Sequence, residues 1–338
     1  MRAAILEQTA PIESGPLAMR DVPTPVPGRG EILMKVTACG VCRSNLHMIE
    51  GDWLDDGVPA KIPIVPGHEV VGRVEQLGDG VEDFSVGDRI GVQPLWSSCL
   101  RCEYCLTGRE NLCGQRLITG EHLDGGYAQF MISKAAHTYR VPDGLIDAEA
   151  APLFCPGITA YHAVEKANLR PGQLAAIFGM GGVGHMIVQL AALSGAEVIV
   201  VARGEKHRAL AKRLGAVETI DASTRNAGKV LKARGGVDAA FVFAPSSEML
   251  VQAIDAVKPG GAVVNGAAKG EIQVPFDDEK LVVGSVIGPR AQMQTVLELA
   301  AAGKIRVVAQ TFPLERAADA LMSLKRGEIE ARAVLTVE

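Results

Sequence analysis

Leu174-Ala175-Ala176-Ile177-Phe178 runs directly into Gly179-Met180-Gly181-Gly182-Val183-Gly184 and then into the amphipathic stretch Val183–Ser194. An apolar run of strand length, a G-x-G-G-x-G turn and a helical period follow in that order. In that setting a glycine-rich turn cradles the pyrophosphate of a dinucleotide rather than simply reversing the chain. Gly179 permits the tight turn, Gly181 lets the backbone approach phosphate, and Gly184 lets helix and strand pack closely. Gly182 and Val183 complete the loop, where the free N–H groups and dipole of the helix favour an anion. Outward from this turn, apolar runs at Glu197–Ala202, Glu218–Ile220, Ala239–Ala244, Ala262–Asn265 and Leu281–Ile287 alternate with helical stretches such as Lys206–Leu214. Such alternation predicts βαβ units and a doubly wound parallel sheet covered on both faces, an α/β fold beginning near Ala151.

The end of the second of these strands should choose the cofactor. An NAD site usually places an acid there for the adenosine ribose hydroxyls. Here Ala202 occupies that place, Arg203 follows, and Lys206 and Arg208 lie just beyond. A cation at Arg203 attracts a 2′-phosphate that a carboxylate would repel, so the expected cofactor is NADP(H). NAD(H), with Glu205 on the ribose, is the alternative.

Before Ala151 the texture differs. Ile32–Val36, Val70–Val74 and Arg89–Val92 read as short strands separated by Gly-Asp and Pro-Gly turns, a mostly antiparallel β domain. After Ile287, helical stretches at Ala291–Ala302 and Leu314–Lys325 precede a strand at Ala333–Val337, whose destination the pattern leaves open. With 338 residues, 48% of them hydrophobic, two cores can form. The net charge is −5 and the basic residues are scattered, so neither nucleic acid nor an anionic membrane is an expected partner. The N-terminal residues carry no apolar run of signal-peptide length, which makes the cytoplasm the expected location.

The seven cysteines divide by spacing. Cys99, Cys102, Cys105 and Cys113 form C-x2-C-x2-C-x7-C, and four sulfurs so close suit tetrahedral zinc. Ferredoxin motifs also open with C-x2-C-x2-C, but they continue with C-x3-C-P or a distant fourth cysteine, whereas here Gly114 follows a gap of seven. Four protein ligands leave no open position, so this zinc, in a lobe at about 95–115, is expected to be structural. Cys39-Gly40-Val41-Cys42 reads either as a redox pair or, with His68-Glu69 and a distant cysteine, as part of a three-ligand catalytic zinc site. Spacing leaves both open.

Five segments resemble the zinc-dependent alcohol dehydrogenases of the medium-chain dehydrogenase/reductase superfamily. They are Cys39–His47, Gly67-His68-Glu69, the four-cysteine lobe, Leu153–Tyr161 and the G-x-G-G-x-G turn, in the family's order over nearly the whole chain. The resemblance implies a GroES-like, mostly-β catalytic domain at 1–150 and 288–338 and a Rossmann domain at 151–287. It implies two zinc ions per chain: a catalytic one on Cys42, His68 and Cys155, and a structural one on Cys99, Cys102, Cys105 and Cys113, with Cys39 a bystander. It implies a proton relay through Ser44 and His47, Glu69 beside the metal, cofactor contacts from Arg43, Thr159 and Arg290, and a substrate pocket around Trp53, Trp96, Leu117 and Phe154. An alcohol or aldehyde is the implied substrate, and a homodimer or homotetramer the implied assembly. A polyol dehydrogenase is the nearest rival, but its relatives recruit a carboxylate where Cys155 stands. A redox-sensing zinc protein is the rival of another class. One departure stands out: Asn45 replaces the aspartate that usually orients the zinc-bound histidine, which leaves the site one negative charge short.

Overall fold

The computed structural model describes all 338 residues and divides into two compact units. The first comprises Met1–Cys155, Pro289–Ala302 and Val307–Glu338; the second comprises Pro156–Gly288 and Gly303–Arg306.

The second unit is built on a six-stranded parallel sheet. Its strands, in chain order, are Leu174–Phe178, Glu197–Ala202, Glu218–Asp221, Val237–Val242, Val257–Asn265 and Leu281–Gly284. Across the sheet they run third, second, first, fourth, fifth, sixth. The order reverses beside the first strand, so its C-terminal end, where the glycine turn sits, is a topological switch point. The central strand Leu174–Phe178 is apolar along its whole length and its neighbours nearly so, as parallel strands buried on both faces must be. The sixth strand ends at Gly284, earlier than expected, and Ile287 takes a left-handed φ of 50° that cannot continue a strand. The short segment Gly303–Arg306 is tied to this unit by Gln189. That amide donates to the Arg306 carbonyl and accepts from its N–H, both at 2.9 Å.

The first unit holds a seven-stranded, almost wholly antiparallel sheet centred on the long strand Glu31–Val41. Val70–Leu77 pairs with that strand along one edge, and Phe130–Lys134 pairs with its first half, Glu31–Lys35, along the other. On that second edge the C-terminal strand Arg332–Thr336 takes over along Ala38–Val41, with Ala333 opposite Val41 and Leu335 opposite Cys39. The final strand therefore returns to the first unit, settling what the sequence pattern left open. The helix expected at Leu314–Lys325 divides into a 3-10 turn at Leu314–Arg316 and an α-helix at Ala317–Lys325. No helix in the chain is long and apolar enough to cross a membrane.

Candidate functional site

Cys42 caps the helix Arg43–Glu50 with extended backbone, His68 and Glu69 immediately precede the strand Val70–Leu77, and Cys155 follows the 3-10 turn Ala151–Phe154. All belong to the first unit. The fold brings one ligand atom from each of Cys42, His68, Glu69 and Cys155 within 4.8 Å of the others. The Cys42 and Cys155 sulfurs are 3.9 Å apart and neither cysteine is in a disulfide. A disulfide would hold its sulfurs at about 2.05 Å. Two thiolates on one tetrahedral zinc, each about 2.3 Å from it, lie about 3.8 Å apart. The spacing is that of a metal site. The Nε2 atom of His68 is buried and has no hydrogen-bond partner, as a nitrogen awaiting a metal would be. The Cys155 thiol, the Arg332 guanidinium and His68 together hold the Cys42 thiol well below its usual range, against the effect of burial. Cys39 is fully buried and its thiol is pushed up by desolvation, which makes it a poor ligand and a poor nucleophile.

Glu69 is the fourth member of the cluster, but its carboxylate is already engaged. Arg332 grips it through two hydrogen bonds, Nε to Oε2 at 3.0 Å and Nη2 to Oε1. Both side chains are buried, and no feature of the sequence near Glu69 announces a partner 263 positions away. Gly40 makes the arrangement possible, because a Cβ there would run into the Glu69 carboxylate. On the far side of His68, Asn45 is fully buried, with Nδ2 3.5 Å from His68 Nδ1, and Tyr127 donates to Asn45 Oδ1 at 3.4 Å.

In the four-cysteine lobe the sulfurs of Cys99, Cys102, Cys105 and Cys113 also lie within 4.8 Å of one another, with pairs at 3.6 and 3.8 Å. Backbone N–H groups of Cys99, Cys102 and Gln115 donate to sulfur at 3.3 to 3.5 Å. The N–H groups of Arg101 and Cys102 lower the Cys99 thiol to about 6. Such bonds stabilise thiolates, the form that binds metal.

The loop Gly179–Gly184 in the second unit has the shape a dinucleotide needs. Gly179 takes a φ of 107°, and a Cβ on Gly184 would run into the Gly179 carbonyl. Gly181 has nothing within 4 Å of where its Cβ would be. The protein's own packing does not require glycine at 181, and the missing side chain leaves that space open.

Comparison with known proteins agrees. Residues 28–143 match the family described as alcohol dehydrogenase GroES-like domain, and residues 182–302 match zinc-binding dehydrogenase. An alcohol dehydrogenase of Geobacillus stearothermophilus is 39% identical over the full length of both chains. The chain belongs to the zinc-dependent alcohol dehydrogenases of the medium-chain dehydrogenase/reductase superfamily. Among solved structures, the alcohol dehydrogenase of Aeropyrum pernix has a TM-score of 0.92 at 32% identity, covering 99% of this chain and all of its own. A thermostable alcohol dehydrogenase of Pyrobaculum aerophilum, bound to cobalt and zinc, has a TM-score of 0.90 at 28% identity, covering 99% of each chain.

The remaining expected residues of this alcohol dehydrogenase fall in several places. Ser44 and His47 share the helix that Cys42 caps; the Ser44 hydroxyl is buried without a partner, and His47 Nδ1 lies 2.6 Å from Asp52 Oδ2. Trp53 stands beside His47, ring centroids 5.5 Å apart. Arg43 donates to the Leu324 carbonyl at 3.1 Å. Arg290 begins a helix and lies 4.0 Å from Glu110 of the cysteine lobe. Thr159 is buried in the helix Pro156–Ala167 of the second unit. Trp96 is tied down, its N–H donating to the Ile132 carbonyl and Lys134 lying over its ring, while Leu117 pairs with Ser97 in a two-stranded ribbon. Phe154, expected at the pocket, occupies the core: it is fully buried, 6.0 Å from the Tyr139 ring and pressed on the strand that carries Gly91. Asp52 and Arg332 are the site residues that motif reading missed.

Proposed function

We propose that the enzyme reversibly oxidises primary or small secondary alcohols to the corresponding carbonyl compounds, with a zinc ion held by Cys42, His68 and Cys155 and with NADP(H) preferred over NAD(H). The observation that carries the reading is the cluster of two thiols and one imidazole. With the Glu69 carboxylate held by Arg332, it offers three ligands and leaves a fourth position for substrate. When bound, the zinc would supply a Lewis acid that eases loss of the alcohol proton, and the dinucleotide would accept the hydride. The chain's own task is then to remove a proton and hold the groups still. Ser44 and His47 lie three residues apart on one helix; Ser44 can accept and donate, and Asp52 fixes His47 at Nδ1 so that Nε2 exchanges the proton with water. Cys99, Cys102, Cys105 and Cys113 would hold a second, structural zinc.

The cofactor preference rests on what surrounds Arg203. Arg203 is exposed at the strand end, while Glu205 and Asp221 both pair with Arg208, at 2.7 and 3.0 Å. The acids that could serve a ribose are occupied and the cation is free to meet a 2′-phosphate. We further infer a cytoplasmic homodimer or homotetramer.

Initial rates on a panel of alcohols and aldehydes with both cofactors, alongside metal counting, test the reading. Wild type should hold two zinc ions per chain and favour NADP(H). Arg203→Ala should lose roughly tenfold in kcat/KM with NADP(H), the worth of one charge-assisted hydrogen bond, and little with NAD(H). Equal efficiency with both cofactors would overturn the preference. A Cys155→Ala variant that kept both zinc ions would overturn the ligand set.

A further inference from the structure

His185 directly follows the last glycine of the dinucleotide turn, in the first turn of the helix Gly184–Leu193. Its side chain is completely buried, and neither ring nitrogen meets a hydrogen-bond partner. Leaving two buried polar atoms unmet costs free energy that a leucine filling the same space would not incur. The ring therefore calls for a role that needs a polar group at this depth.

Its surroundings suggest one. Burial lowers its pKa to about 4, and the backbone of Gly182 and Gly181 opposes that shift only in part. At physiological pH the imidazole is neutral and carries one N–H. The Gly181 carbonyl already accepts the backbone N–H of His185 at 3.0 Å, so the Gly182 carbonyl is the one available to the ring. In a trans peptide the C=O and the following N–H point in opposite directions. A hold on the Gly182 carbonyl from beneath the loop therefore turns the N–H of Val183 outward. Gly181, two residues before, has open space where its Cβ would be.

We propose that His185 is a positioning residue for the dinucleotide pyrophosphate: when phosphate is seated, its ring N–H takes the Gly182 carbonyl and thereby presents the Val183 N–H to phosphate. This rests on the dinucleotide reading above and adds to it a residue that never touches the cofactor. When the loop seats a phosphate, the histidine gains the partner it lacks, so affinity for pyrophosphate and satisfaction of the buried ring rise together.

Calorimetric titration of the full-length, zinc-loaded protein with ADP-ribose, which carries the pyrophosphate, and with adenosine, which does not, separates this role from a packing role. His185→Leu should weaken ADP-ribose binding roughly threefold to tenfold, the range for one neutral hydrogen bond, and leave adenosine binding within about twofold. His185→Gln retains an N–H donor and should recover most of the loss. Val183→Pro deletes the presented N–H at a helix start that tolerates proline, and the double variant His185→Leu/Val183→Pro should be no weaker than Val183→Pro alone. Unchanged ADP-ribose affinity in His185→Leu overturns the proposal, as does an equal loss for both ligands or an additive double variant. If His185→Leu fails to fold, Val183→Pro with His185→Gln gives the same decision: ADP-ribose affinity intact without the Val183 N–H overturns the proposal. Wild type that binds adenosine but not ADP-ribose would overturn the dinucleotide reading itself.

Discussion

His47 and Asp52 are five residues apart, yet only the structure pairs them, because the chain turns at Gly51, left-handed at φ 85°, and brings the carboxylate back to the ring at 2.6 Å. The motif supplied the histidine; the turn supplies the group that fixes its tautomer. If the pair passes the alcohol proton to water, His47→Gln should slow turnover at pH 7 by on the order of tenfold to a hundredfold, with relief at high pH where hydroxide takes the proton directly. A pH–rate profile parallel to wild type would remove His47 from the relay. Glu69 teaches the converse lesson. Its place beside the ligands was legible from Gly67-His68-Glu69, but its buried ion pair with Arg332 was not, since charge pairing across 263 residues leaves no local pattern. Buried histidines give a second prediction at this scale. His137 and His185 are each lowered to about 4, first by burial. Unfolded, each binds a proton near pH 6.5. Between these values the unfolded state binds more protons, so stability falls as pH drops from about 6.5 towards 4. Denaturant midpoints measured across that window should decline with falling pH, and His185→Gln should flatten part of the decline.

Among the elements, the first two Rossmann strands, Leu174–Phe178 and Glu197–Ala202, match their expected bounds because a strand buried on both faces is mostly apolar and its run is easily seen. Two strands, one in each unit, run five or more residues past their expected bounds. Val257–Asn265 continues through Lys258-Pro259-Gly260-Gly261, which reads as a turn, and its pairing with Val237–Val242 is irregular there. Glu31–Val41 extends past Val36 through Thr37 and Gly40 to deliver Cys42. The cysteine lobe is the opposite case: its function was plain in the spacing, while its structure is almost without regular elements. It contains a four-residue helix, Glu103–Leu106, and a 3-10 turn, Glu110–Leu112, and Leu106 is 74% exposed. Apolar packing is too sparse to hold such a segment, so its order must come from the sulfurs and whatever cation joins them. Cys102→Ser should therefore release one zinc per chain, lower the Tm by several degrees and open residues 99–113 to protease. A lobe as protease-resistant as wild type after that zinc is lost would show that the metal does not hold it.

For the molecule as a whole, the sequence pattern left the last strand unplaced and the family resemblance placed it; antiparallel pairing of Arg332–Thr336 with Glu31–Val41 now accounts for it physically, since that strand completes the sheet carrying Cys42 and brings Arg332 to Glu69. The proposed assembly has a candidate contact at a different edge. In the second unit's sheet the outermost strand, Leu281–Gly284, pairs only with Val257–Asn265, so its other side presents unpaired backbone. Exposed parallel-sheet edges are normally covered or blunted by charge. This one is flanked instead by Phe276, 94% exposed, with Leu281 at 61% and Val286 at 44%. A second copy related by a two-fold axis would lay the same strand antiparallel to this one, match each apolar side chain with its own equivalent and close the edge without any other partner. Sedimentation should accordingly give a mass that is a multiple of the 35.6 kDa chain, and Phe276→Asp combined with Leu281→Glu should move it to the single-chain value while both zinc ions stay bound. Wild type sedimenting at one chain's mass, or the double variant keeping the wild-type mass, would place the oligomer contact elsewhere or abolish it.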